Sequence, residues 1–190
     1  MVFPSLISRV FDPMVVLTIF FPVLLSRSGI GGWDLAAHVF VFFVVMILPP
    51  AVLLSWAVRT RRITNWDISN RKQRVRALSV CFLFLLIDWA VVSLFGTPFV
   101  KQIFILFSLV FFGFFCITLR YKISGHMLVT TFILLLCIRW YGNGMMLCLG
   151  IIPLLAWSRL VLKRHTLFEV IGGVLYACVM FFLARELHLI

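Results

Sequence analysis

Residues 100–119, VKQIFILFSLVFFGFFCITL, form an apolar run in which Lys101 is the only charged residue. About twenty such residues are the length that a helix needs to cross the hydrocarbon core of a bilayer. A strand of a membrane barrel would alternate polar and apolar residues, and this run does not. Because backbone groups in lipid must be hydrogen-bonded internally, the run predicts a transmembrane helix.

Comparable apolar runs recur along the chain, at about residues 35–58, 77–95, 126–140, 144–157 and 169–184. Pro49 and Pro50 predict a kink or break within the first of them. A shorter run at about 13–25 predicts a tilted or interfacial helix, because it is too short to cross upright. The pattern therefore predicts an all-α fold: a polytopic transmembrane helical bundle with six core spanning helices plus a short N-terminal tilted or interfacial helix.

Composition agrees with this fold class and limits the classes of function. The 190 residues are 64% hydrophobic, whereas a soluble domain is nearer half apolar. A net charge of +11 would favour nucleic-acid binding in a soluble protein. Here the cations lie in short loops, so we expect no nucleic-acid partner and instead membrane lipids and a phosphorylated lipid substrate. The connections are too short for a second domain, so residues 1–190 are predicted to form one domain.

The cysteines argue against a disulfide framework and a zinc site. The N-terminal segment argues against a cleaved signal peptide. All five cysteines lie inside apolar runs without CxxC spacing, which predicts neither a disulfide framework nor a zinc site. We expect no metal and no cofactor. Asp12 and Pro13 interrupt the region after Arg9, and no small-residue cleavage site follows, so the N-terminal segment is predicted to be retained.

The first polar cluster, residues 158–169, places Arg159, His165 and Glu169 between two apolar runs. Ionisable groups near hydrocarbon are costly and usually functional. His165 and Glu169 are four residues apart and would share a helix face, where the carboxylate would fix the ring tautomer and stabilise the imidazolium. Arg159 suits bidentate binding of phosphate oxygens. The alternative is a juxtamembrane loop whose basic side chains reach lipid headgroups.

The second polar cluster, residues 122–126, directly precedes the run at 126–140. Ser124 is a good N-cap, and Gly125 allows a ligand to approach the backbone closely. The unpaired N–H groups of the helix start would attract an anion, with His126 beside it and Lys122 as a further phosphate-binding cation. The alternative is an ordinary helix cap with a surface histidine.

The third polar cluster, residues 59–76, is the longest polar stretch of the chain. Arg71 and Arg74 would share a helix face and are candidates for phosphate contact, and Asp67 is placed to pair with Arg71. The alternative is a positive-inside loop. Two crossings separate each cluster from the next, so we expect all three to meet at one membrane face.

Asp88, inside the run at 77–95, is either functional or hydrogen-bonded to a neighbouring helix.

The first two clusters resemble signatures of the type 2 phosphatidic acid phosphatase superfamily. Ser158-Arg159, five residues, His165, three residues and Glu169 resemble the third signature, in which the carboxylate is normally Asp. Ser124-Gly125-His126 is similar to the second signature, Pro-Ser-Gly-His, with Ile123 in place of Pro. The usual first signature does not occur, and residues 70–74, NRKQR, resemble an Arg-x-x-Arg variant at its place.

The resemblance implies a helical bundle with metal-independent phosphatase activity. His165 would be the nucleophile that forms a phosphohistidine, Glu169 would orient it, and His126 would protonate the leaving alkoxide. The phosphoryl oxygens would be held by Arg159, Ser124, Gly125, Arg71 and Arg74. We therefore expect hydrolysis of a lipid phosphate, either a phosphatidate-like lipid or a polyprenyl phosphate or diphosphate.

Two alternatives remain at this point. A non-catalytic membrane protein would use the same basic face to bind anionic lipid or a partner, and a transferase would pass the phosphoryl group between lipids.

We expect a multi-pass protein of the cell membrane. The cations are concentrated on the site face, so the positive-inside rule predicts that this face lies in the cytoplasm.

Overall fold

The computed structural model describes residues 2–68 and 70–190, and no strand occurs within those residues. The helices are α1 (Val2–Val10), α2 (Pro13–Ser26), α3 (Gly32–Phe42), α4 (Leu48–Arg59), α5 (Arg71–Phe95), α6 (Pro98–Arg120), α7 (Gly125–Tyr141), α8 (Ile151–Val161) and α9 (Leu167–Glu186). A π-helical turn, Phe43–Ile47, joins α3 to α4, and a 3₁₀ segment, Asn143–Gly150, precedes α8. The all-α prediction is confirmed.

Five helical segments within the described residues are long and apolar enough to cross a membrane. They are Gly32–Arg59, Arg71–Phe95, Pro98–Arg120, Asn143–Val161 and Leu167–Glu186. The chain is therefore an integral membrane protein. The count differs from the six predicted core spans because α7 has only 17 residues, between its N-cap at Ser124 and Gly142, whose φ is +88°.

The N-terminal element also differs from the prediction. Two helices, α1 and α2, replace the expected single one, with a bend of 42° between them. The sequence analysis missed α1 because nine residues are too few to form a span. Its buried residues, Pro4, Ile7 and Ser8, follow helical spacing and lie on one face.

The proline pair in the apolar run at about residues 35–58 produces a widened turn instead of a break. Proline cannot donate a backbone hydrogen bond and its ring crowds the carbonyl four residues earlier. The π-turn Phe43–Ile47 lies where those carbonyls are, and a single added residue per turn absorbs the crowding. The helical segment therefore continues from Gly32 to Arg59.

The chain divides into two compact units. Unit 1 comprises Met1–Leu17 and Lys122–Ile190, and unit 2 comprises Thr18–Tyr121. The core of unit 1 contains Ile7, Met127, Leu155 and Val170, one from each of α1, α7, α8 and α9. Because Ile7 packs among these side chains, α1 is an integral part of this core.

Unit 2 has its own core, formed by Leu25, Val92 and Val100 from α2, α5 and α6. Asp88 of α5 is buried, and its Oδ1 has no hydrogen-bond partner among the described residues. A functional role for Asp88 remains a prediction.

Candidate active site

The His165–Glu169 pair is made in unit 1 at the start of α9. Thr166 is the N-cap of α9 and forms a capping box with Glu169, in which each side chain accepts from the other residue's backbone N–H. His165 precedes the helix, so the expectation that both residues share a helix face was wrong. Their contact is nevertheless short, with 2.7 Å between His165 Nδ1 and Glu169 Oε2, and the His165 side chain is only 2% exposed.

Glu169 Oε2 collects three contacts. Besides His165 Nδ1, it lies 3.1 Å from Lys122 Nζ and 3.3 Å from the backbone nitrogen of Thr166. Lys122 Nζ also donates to the carbonyl oxygen of Arg164 at 3.1 Å. The ammonium thus links the second polar cluster to the first, and its third N–H is the donor that a phosphate would receive.

The backbone joins the same two clusters directly. Ser124 is the N-cap of α7, as predicted, and its side chain accepts from Met127 N. Its own N–H donates to the carbonyl oxygen of Glu169 at 2.9 Å. His126, in the first turn of α7, is buried. The starts of α7 and α9 are therefore adjacent, and both candidate histidines lie at the same end of unit 1.

Two glycines of α9 allow this close approach. A Cβ added at Gly173 would lie 2.6 Å from the carbonyl oxygen of Ser124, and one at Gly172 would lie 2.9 Å from Ile123 Cγ2. Small residues let helices in membranes pack with close backbones. Sequence analysis did not use this pair, although two adjacent glycines within an apolar run were a usable signal.

Ser158 and Arg159 lie in the last turn of α8 rather than in a loop. Ser158 Oγ donates to the carbonyl oxygen of Pro4 at 2.7 Å. Arg159 is fully buried, and its Nη1 donates to the hydroxyl of Ser8. The alternative of a juxtamembrane loop with side chains that reach lipid headgroups does not hold for Arg159, since Ser8 of α1 contacts its buried guanidinium. Phosphate binding by Arg159 stays a prediction.

The N-terminal segment also reaches His126. Asp12, between α1 and α2, places its Oδ2 3.7 Å from His126 Nε2, which is within ion-pair distance. The sequence pattern predicted a site role for neither Asp12 nor Ser8. The available signal was a carboxylate at a helix break in an otherwise apolar region.

Arg71 and Arg74 belong to unit 2 and have structural partners there. Arg71 Nη1 donates to the carbonyl oxygen of Leu119. Arg74 is buried, and its Nε and Nη2 donate to the carbonyl oxygens of Ile68 and Asp67 at 3.2 and 3.3 Å. These bonds fix the turn before α5. The convergence of this third cluster with the other two remains a prediction.

This arrangement has the elements of nucleophilic catalysis. With Nδ1 of His165 bonded to a carboxylate, Nε2 is the ring nitrogen that would carry a reactive lone pair. A second imidazole and an ammonium lie at the same end of the unit. Among the described residues, no group of three or more His, Cys, Asp or Glu side chains is arranged to hold a metal ion.

No protein-family model matches the chain, and neither the curated proteins nor the solved structures gave a match. Support for a function therefore comes from the residues and from their geometry.

Proposed function

We propose that the protein is a metal-independent membrane phosphatase that hydrolyses a lipid phosphate or an isoprenyl (di)phosphate through a phosphohistidine intermediate. The observation that carries the proposal is the 2.7 Å contact between His165 Nδ1 and Glu169 Oε2, with Lys122 Nζ 3.1 Å from the same oxygen. The signature-like spacing of both histidine motifs supports it further, because the fold brings these two motifs side by side.

The reaction proceeds in two displacements. His165 Nε2 attacks phosphorus and the bond from phosphorus to the lipid oxygen breaks, while His126 donates a proton to the departing alkoxide. Water then attacks the phosphohistidine and gives a proton to His126, the N–P bond breaks, and inorganic phosphate leaves with both histidines restored. Dividing the displacement in this way replaces one difficult step by two easier ones.

Glu169 stabilises the imidazolium that forms as His165 is phosphorylated. Lys122 and the backbone N–H of Gly125 hold the phosphoryl oxygens, whose charge needs donors placed in advance. The N–H of Ser124 is already bonded to the carbonyl oxygen of Glu169, so Ser124 positions this helix start. Arg159 completes this set of donors in the proposal. Arg71 and Arg74 belong to unit 2, where they donate to the carbonyl oxygens of Leu119, Ile68 and Asp67. Arg159 can bind a phosphate once its hydrogen bond to the hydroxyl of Ser8 is broken.

The substrate is a lipid because the site lies at the ends of α8 and α9, which belong to segments long and apolar enough to cross a membrane. A phosphorylated lipid enters sideways from the bilayer and keeps its tail in hydrocarbon while its headgroup meets the starts of α7 and α9. By the positive-inside rule, the excess of cations that the sequence predicts on the site face favours a cytoplasmic orientation of the site in the cell membrane.

The test is phosphate release by purified protein in detergent micelles from a panel of phosphatidate, polyprenyl phosphate and polyprenyl diphosphate. His165→Asn should abolish release, and parent protein quenched in alkaline detergent should carry an acid-labile, alkali-stable phosphoryl group that this variant lacks. His188→Asn is the matched control, because this histidine lies beyond the end of α9. Full activity in His165→Asn, or no release from any substrate, would refute the proposal.

A second candidate is a non-catalytic protein that binds anionic lipid. The observation in its favour is that Glu169 already completes a capping box and Arg159 already bonds Ser8, so both have structural roles. Binding to anionic vesicles without phosphate release would identify it. A new phosphorylated product after addition of an acceptor lipid would instead identify a transferase.

A further inference from the structure

We infer that Asp12 is a positioning residue of the active site, whose carboxylate keeps His126 oriented and protonated for transfer of its proton to the leaving group. This inference rests on the proposed phosphatase function and adds an element to it: the N-terminal segment belongs to the catalytic unit.

Three groups of the N-terminal segment contact residues of the candidate site or their neighbours. Asp12 Oδ2 lies 3.7 Å from His126 Nε2, the hydroxyl of Ser8 accepts from Arg159, and the carbonyl of Pro4 accepts from Ser158. Because α1 also contributes Ile7 to the core of unit 1, these contacts belong to a packed element and not to a loose tail.

The carboxylate of Asp12 is itself held in place. Its Oδ1 accepts from the backbone nitrogen of Met14 at 3.0 Å, and its carbonyl oxygen accepts from Val16 N at 2.9 Å. One carboxylate oxygen therefore starts α2 while the other lies toward His126. Because each carboxylate oxygen has its own contact, the orientation of the Asp12 carboxylate relative to the His126 ring is fixed.

A negative charge is useful at this position. The His126 side chain is only 9% exposed, and burial disfavours a charged imidazolium unless an opposite charge is close. A general acid must hold its proton when the substrate binds. Lys122 and Arg159 add positive charge to this end of the unit, which makes a compensating carboxylate the more necessary.

The other acids of unit 1 have different partners. Glu169 contacts Lys122 and His165, and Glu186, at the opposite end of α9, contacts Arg185. Among the described residues of unit 1, Asp12 is thus the acid whose carboxylate lies at ion-pair distance from His126. A carboxylate is therefore assigned to each of the two histidines.

The decisive variant is Asp12→Asn, because asparagine caps a helix as well as aspartate does and only the charge is removed. The proton from His126 matters for an alkoxide leaving group and little for a nitrophenolate. We expect kcat/KM for a lipid alkyl phosphate to fall about tenfold in Asp12→Asn, as partial loss of general-acid catalysis. The same constant for p-nitrophenyl phosphate should stay within about twofold, and KM should change little for either substrate.

Several variants separate positioning from a purely structural role. Asp12→Glu should recover most of the alkyl-phosphate activity, and Asp12→Ser, another N-cap without charge, should repeat the Asn result if Asn perturbs folding. Asp12→Asn combined with His126→Asn should be no slower than His126→Asn alone. Glu186→Gln is the matched control for loss of a carboxylate.

Equal losses on both substrates, full activity in Asp12→Asn, or multiplicative effects in the double variant would overturn this inference while leaving the phosphatase proposal intact. A parent protein that releases no phosphate from any substrate would overturn both.

Discussion

Replacement of Glu169 by glutamine separates the catalytic role of this residue from its structural one. Glutamine at the third position of α9 still completes a capping box with Thr166. It retains the length of the side chain and an oxygen acceptor for the His165 ring. The change removes only the negative charge, which lies 2.7 Å from His165 Nδ1 and 3.1 Å from Lys122 Nζ.

The expected loss of rate follows from the energy of one charge-assisted hydrogen bond. Bonds to charged groups contribute about 1.5–3 kcal/mol, and a rate falls tenfold for each ~1.4 kcal/mol added to the barrier. The kcat of Glu169→Gln should therefore be roughly 10 to 150 times lower.

The ion pair with Lys122 is partly solvated, with side-chain exposures of 20% and 18%, so its loss should lower the free energy of unfolding by less than about 1 kcal/mol.

The assay combines initial rates of phosphate release with thermal unfolding of the same preparations. Thr166→Ala is the matched control, because it removes the N-cap hydroxyl, lowers stability by about 1 kcal/mol and leaves the His165–Glu169 contact in place. It should retain near-parental kcat. Glu169→Ala should show both the loss of rate and the loss of stability.

Two results would refute this reasoning. Parental kcat in Glu169→Gln would mean that the charge does not assist His165. A comparable loss of kcat in Thr166→Ala would mean that the activity depends on the integrity of the start of α9 and not on the carboxylate charge.

Three further predictions concern packing, buried charge and protonation. Gly173→Ala should lower stability by about 1–3 kcal/mol and reduce activity, because its Cβ meets a backbone oxygen at 2.6 Å. Gly172→Ala, which meets only a side-chain methyl, should be milder in the same thermal scans. Asp88→Leu should raise the free energy of unfolding by about 1–3 kcal/mol, because it removes a buried oxygen without a partner; destabilisation would contradict this. The kcat/KM of the parent should be bell-shaped in pH, because His165 must be neutral and His126 protonated, and a profile without an acidic limb would exclude His165 as the nucleophile.

Local signals in the sequence predicted the helix starts that form the site. Ser124 was identified as the N-cap of α7, and the structure confirms it. The Thr166-x-x-Glu169 pattern was an equally readable capping box that the sequence analysis passed over. Both signals depend on bonds between residues at most three positions apart, so the sequence contains all the information that they need.

The contributions of α1 could not be predicted in this way. Its nine residues are too few to span a membrane. No short-range pattern in the sequence indicates that Ser8 bonds Arg159 or that Asp12 lies close to His126. These contacts join residues more than a hundred positions apart. They exist only because the apolar face of α1 packs on α8 and places Ile7 in the core of unit 1.

The sequence alone determined that this is a helical membrane protein with two histidine motifs at the starts of helices, because hydropathy and capping act over short distances along the chain. Only the tertiary structure decided that those two starts are adjacent and that a second carboxylate, that of Asp12, lies beside His126. The physical reason is close packing: the glycines of α9 let the carbonyl of Ser124 approach, and that approach aligns groups that the chain itself keeps far apart.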